Sequence, residues 1–139
     1  MFAGEDIVKR EINTREDVSL LVHTFYGKIR KDEVLGPIFN GVIKDWDNHL
    51  EKMVDFWESN LLYVRKYFGN PMLSHISADR KTNYGIESKH FGLWLNLWYQ
   101  TLDDYFEGST AQLARDRARM MSTNLFLAIF RSRPKEVYS

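Results

Sequence analysis

The chain has 139 residues, no cysteine and a formal net charge of zero, 19 basic side chains balancing 19 acidic ones. Disulfides, thiolate zinc sites and cysteine-linked cofactors are thereby excluded, and nothing in the overall charge draws the chain to nucleic acid or an anionic membrane. The length suits one domain with a real core, and no apolar run reaches membrane-spanning length. The stretch 1–15 is too charged for a signal peptide, so a soluble cytoplasmic protein is expected.

Thr14 and Asp17 have the spacing of a helix-capping pair. Val18, Leu21, Val22, Phe25, Tyr26 and Ile29 follow at helical intervals, and Lys28, Arg30 and Lys31 suit the negative end of that helix. Gly36-Pro37 breaks the pattern, and IFNGV is read as a turn. A second stripe starts at Asp45 and runs through Trp46, His49, Leu50, Met53, Phe56, Trp57, Asn60 and Leu61. Gly69-Asn70-Pro71 closes it and opens a short piece that carries His75. Residues 77–89, SADRKTNYGIESK, are polar and read as a loop. A third helix spans His90 to about Phe106, with Phe91, Trp94, Leu95, Trp98, Leu102 and Tyr105 inward. Ser109 and Gln112 cap a fourth, whose stripe includes Leu113, Ala114, Met120, Met121, Leu125, Ala128 and Ile129, and Pro134 ends it. No strand pattern or repeat interrupts the series, so the predicted fold is all-α.

Rings make up 14% of the chain: nine phenylalanines, seven tyrosines and four tryptophans. Among them, His49 sits on the apolar stripe of its helix and His75 follows Pro71 by one turn. A lone histidine in such a place is more often a core residue bonded to a backbone carbonyl. Two of them on separate segments of an aromatic-rich chain weaken that explanation. Zinc wants three or four ligands, and neither H-x-x-x-H nor a histidine–carboxylate cluster is present. A non-haem iron triad needs a carboxylate on the same inner face, and none is obvious. Haem asks for one axial histidine, an apolar slot and an open second face. Taken singly, Tyr26 and Trp94 read as packing residues, His23 and His90 as structural, and Arg115, Arg117 and Arg119 as a solvated face. Arg131, Arg133 and Lys135 suit a helix end.

Taken together, FYGKIRKDEVLGPIFN, W-x-x-H at Trp46–His49, FW at Phe56-Trp57, GNPMLSH and HFGLWLNLW resemble the group III truncated haemoglobins, over roughly residues 14–130. The Gly-Gly pairs of the other truncated groups are absent, which favours the third. Relatives carry a proline-rich link where this chain has SADRKTNYGIES. The resemblance implies a single globin domain over 1–139, a two-over-two helical sandwich around non-covalent haem b. Residues 1–13 would be an N-terminal extension and 131–139 a tail. It makes His75 the proximal iron ligand and puts Tyr26, His49 and Trp94 on the distal side. Phe25, Phe39, Met53, Trp57, Met72 and Phe91 match apolar positions around the porphyrin, and Lys52 is the candidate partner of a propionate.

The expected function is reversible binding of O2 and other diatomics, CO and NO, with cyanide as a further ligand. Convergent donors suit redox chemistry or sensing more than bulk transport. A haem enzyme, either an NO dioxygenase or a peroxidase, is the alternative, and it would require a reductase or a peroxide supply. A haem-free helical adaptor is the other.

Overall fold

The computed structural model describes residues 8–67 and 69–134. They form six helices: α1 (Arg15–Lys31), α2 (Leu35–Val42), α3 (Trp46–Leu62), α4 (Pro71–Lys81), α5 (Ser88–Tyr105) and α6 (Ser109–Ser132). The all-α expectation holds, and among the described residues the only β feature is an isolated bridge between Arg10 and Phe106.

The predicted start of α1 is observed in full. The amide of Asp17 donates to Thr14 Oγ1 at 3.2 Å, and Asp17 Oδ2 accepts from the Thr14 amide at 3.2 Å. All six apolar residues of the predicted stripe, Val18 to Ile29, are buried. Helix α1 packs on α2, α3 and α5, α5 packs on α6, and α6 also meets α3 and α4. Two helix pairs, α1/α3 and α5/α6, are thereby laid across each other. Phe25 stands at the crossing with no exposed surface. Its ring meets Tyr26, Trp94 and Trp98 edge-on at 4.9, 5.3 and 4.9 Å. Burying such a ring contributes about 1.5–3 kcal/mol.

Several boundaries differ from the sequence reading. IFNGV is helical, not a turn, because Pro37 occupies the third position of α2, where a missing N–H interrupts no intrahelical bond. Gly36 lets α2 close on the end of α1, since a Cβ there would stand 2.8 Å from the Arg30 carbonyl oxygen. Helix α3 stops at Leu62, well before Gly69, with Tyr63 in the left-handed region at φ 60°. Residues 77–81 continue α4 and 88–89 begin α5, so the loop shrinks to 82–87. Met120 is 64% exposed and off the inner stripe. Ser109 is the first residue of α6, and its N-cap is Gly108 at φ 103°. Glu11 does the capping from outside the helix. Its carboxylate accepts from the Thr110 and Ala111 amides at 2.8 and 3.2 Å and from Ser109 Oγ at 3.1 Å. Burial opposes its charge, but the backbone donors outweigh that effect and hold the carboxyl below its ordinary pKa. Among the described residues no helix is long and apolar enough to cross a membrane.

Candidate functional site

Helices α3 and α4 do not pack extensively on each other. Between them lies a cavity of about 890 Å³, floored by α5 and α6 and walled by α2. That volume is at the upper end for small-molecule and cofactor pockets. Nine of the predicted site residues line it: Tyr26, Phe39, His49, Lys52, Met53, Trp57, His75, Phe91 and Trp94.

Local sequence sets the two histidines. Asp45 caps α3 by accepting from the Asn48 amide at 3.1 Å, which starts the helix one residue later and turns His49 inward. Asn70 caps α4 in the same way through the Leu73 amide at 3.1 Å, with Pro71 pre-set for the first turn. His75 Nδ1 lies 2.7 Å from the Pro71 carbonyl oxygen. A carbonyl can only accept, so Nδ1 carries the proton and Nε2 keeps its lone pair. Burial depresses the His75 pKa, against a smaller upward pull from that bond. His49 is pushed down to about 4, first by burial, then by the Lys52 ammonium and by its nearness to the other titrating imidazole, His75. Both imidazoles are neutral at pH 7. The Nε2 atom of His49 is buried with no hydrogen-bond partner among the described residues.

The rings around them are held in place. Tyr26 meets His49 edge-on at 5.3 Å and Trp46 at 5.8 Å. Trp46 Nε1 donates to Asn40 Oδ1 at 3.2 Å, and the Arg30 guanidinium covers its face at 4.4 Å. Trp94 stacks nearly parallel on Trp98, 5.9 Å away, and Trp98 is tied by its indole N–H to the Ala114 carbonyl at 3.1 Å. Burial raises the Tyr26 phenol, so it stays a protonated donor. On the α4 side, Phe91 lies 6.4 Å from the His75 ring at a shallow angle.

Two predicted residues stand elsewhere. Phe25 is one layer behind the wall, where it sets the tilt of Tyr26 and Trp94. Met72 is 48% exposed and outside the cavity lining. Conversely, Tyr67, Ile86, His90 and Leu125 line the cavity without having been singled out for it. Leu125 was visible on the α6 stripe, and Ile86 as the one aliphatic residue of a polar loop. Nothing local marked the other two.

No family model matches the chain. It is 30% identical over 121 residues to a group 3 truncated haemoglobin of Campylobacter jejuni, an alignment that spans 84% of this chain and 91% of that protein. The chain belongs to the group III truncated haemoglobins. A crystal structure of a group III truncated haemoglobin from Campylobacter jejuni superposes with a TM-score of 0.79 at 28% identity, covering 91% of this chain and 99% of the other. The two-over-two arrangement is therefore a truncated globin fold, and membership of the family makes this a haem-binding globin that takes gas ligands. The residues lining the cavity fit that group: a neutral imidazole with an available Nε2, a second imidazole with an orphaned Nε2, and a ring-lined slot between them.

Proposed function

We propose that His75 is the axial ligand of a non-covalent haem b, and that Tyr26, His49 and Trp94 engage a diatomic ligand on the other face. In this reading the chain works in redox chemistry or sensing of O2 and NO, not in bulk O2 transport. The observation that carries it is the tautomer of His75, fixed by Pro71 so that Nε2 turns its lone pair to the cavity. When bound, haem supplies an iron centre that takes diatomic gases.

The remaining work falls to the chain's own side chains. Tyr26 and Trp94 each bring an N–H or O–H to the cavity, and His49 brings a nitrogen free to donate or accept. Donors converging in a dry pocket hold a ligand with partial negative charge firmly. Firm holding opposes delivery and favours chemistry. The Pro71 carbonyl leaves His75 less electron-rich than a carboxylate partner would, which speaks against a dedicated peroxidase. Lys52, Lys66 and Lys81 border the cavity and are the cations to meet haem carboxylates. A cytoplasmic setting, with a reductase to return electrons, completes the reading.

The test is substitution of each histidine. His75→Ala should lose stable haem, or keep it only with added imidazole, as read from the absorption spectrum of the purified protein. Full haem with an unchanged ferrous spectrum would overturn the assignment. His49→Ala should keep haem and change the rate of ligand entry. Haem loss on that change would mean the two faces are reversed.

A further inference from the structure

Helix α4 is an unusual carrier for a metal ligand. Among the helices it packs extensively only on α6, and its one fully buried side chain is a carboxylate, Asp79, at 1% exposure. Met72 faces outward, and Leu73 and Ser74 border the open cavity instead of a neighbouring helix. Apolar packing therefore does little to fix its tilt.

Asp79 stands four residues after His75, on the same face of the helix. Its Oδ2 accepts from Arg133 Nε at 3.0 Å and its Oδ1 from Arg133 Nη2 at 2.9 Å, a two-pronged contact. Arg133 is the C-cap residue of α6, and the same Nη2 also donates to the Ile86 carbonyl. The Ile86 amide returns to Asp79 Oδ1 at 3.3 Å, which delivers the Ile86 side chain to the cavity. Two more bonds, from the Tyr84 amide at 2.7 Å and Thr82 Oγ1 at 3.0 Å, close on the Asp79 carbonyl. One ion pair thus joins the end of α4, the 82–87 loop and the end of α6. A fork-to-carboxylate contact fixes angle as well as distance.

We propose that the Asp79–Arg133 pair positions His75, setting the direction in which its Nε2 meets iron, and places Ile86 against the same side of the haem. This rests on the reading of His75 as the axial ligand. Asp79 and Arg133 touch neither haem nor gas; they are positioning residues.

The experiment uses haem-loaded Asp79→Asn and Arg133→Lys beside the parent protein. Resonance Raman spectra of the unliganded ferrous forms read the iron–histidine stretch, and transfer to an excess of acceptor apoglobin reads haem release. Both variants should shift the stretch and speed release by about 10- to 100-fold, the usual effect of losing a partner that orients a metal ligand. Arg133→Lys, which keeps the charge and loses the fork, should shift least. Lower thermal stability with an unmoved stretch and unchanged release would overturn the proposal and leave the pair as a plain structural tie. Absence of any iron–histidine stretch in the parent protein would instead sink the His75 assignment.

Discussion

Tyr26 and Trp94 line one cavity, and neither the Tyr26 hydroxyl nor the Trp94 indole N–H is hydrogen-bonded to another described residue. A hydrogen bond to a charged or partly charged group is worth about 1.5–3 kcal/mol. Removing either donor should therefore raise the O2 dissociation rate by about ten- to a hundredfold. Tyr26→Phe and Trp94→Phe are the useful changes, because they keep the ring contacts with His49 and Trp98. Carbon monoxide is much less polarised when bound, so its dissociation should change far less. Stopped-flow on both gases decides the matter: equal changes would indicate altered access, and none would take these residues out of the site. The sequence puts both in motifs shared with the family, and the structure puts both on the cavity wall. Phe25 and Met72 were placed at the haem by the same reasoning, but α1 turns Phe25 into the helix crossing, and Met72 at the second position of α4 turns outward.

Helices with a strong apolar stripe, α1, α3 and α5, could be read directly from the chain. The others depended on partners distant in sequence. Helix α4 extends through SADRK because Asp79 finds Arg133, 54 residues away, so a segment polar in sequence is buried where it matters. The start of α6 looked like a local capping pair, yet its donors are met by Glu11, about a hundred residues earlier. A substitution there should register at the level of the element. Glu11→Ala removes an acceptor from the first turn and leaves the Thr110 amide exposed to water, at a cost of about 0.5–2 kcal/mol typical of a lost N-cap. The midpoint of urea unfolding should fall accordingly, with haem spectra unchanged, since Glu11 does not line the cavity. An unmoved midpoint would show that Gly108 and water serve α6 equally well.

Across the whole molecule, two neutral histidines in one cavity make stability depend on pH. His49 has a pKa of about 4 when folded against 6.5 for the free side chain, and His75 is lowered as well. Between those values the unfolded chain binds the proton and the folded one does not, so protonation favours unfolding. Stability of the haem-free protein should be greatest above pH 6.5 and decline as pH falls toward about 4. Urea midpoints across that interval measure it. His49→Gln should flatten part of the slope, and an identical slope in that variant would assign the effect to other groups. The same cavity has an optical consequence. Trp57 and Trp94 border it, and Trp98 stacks on both, at 4.4 and 5.9 Å. Three of the four indoles are thus within touching distance of whatever fills the slot, or of one another. A coloured occupant drains their emission, so the protein carries a built-in gauge of its own filling: bright when vacant, dark when loaded, and readable without a label.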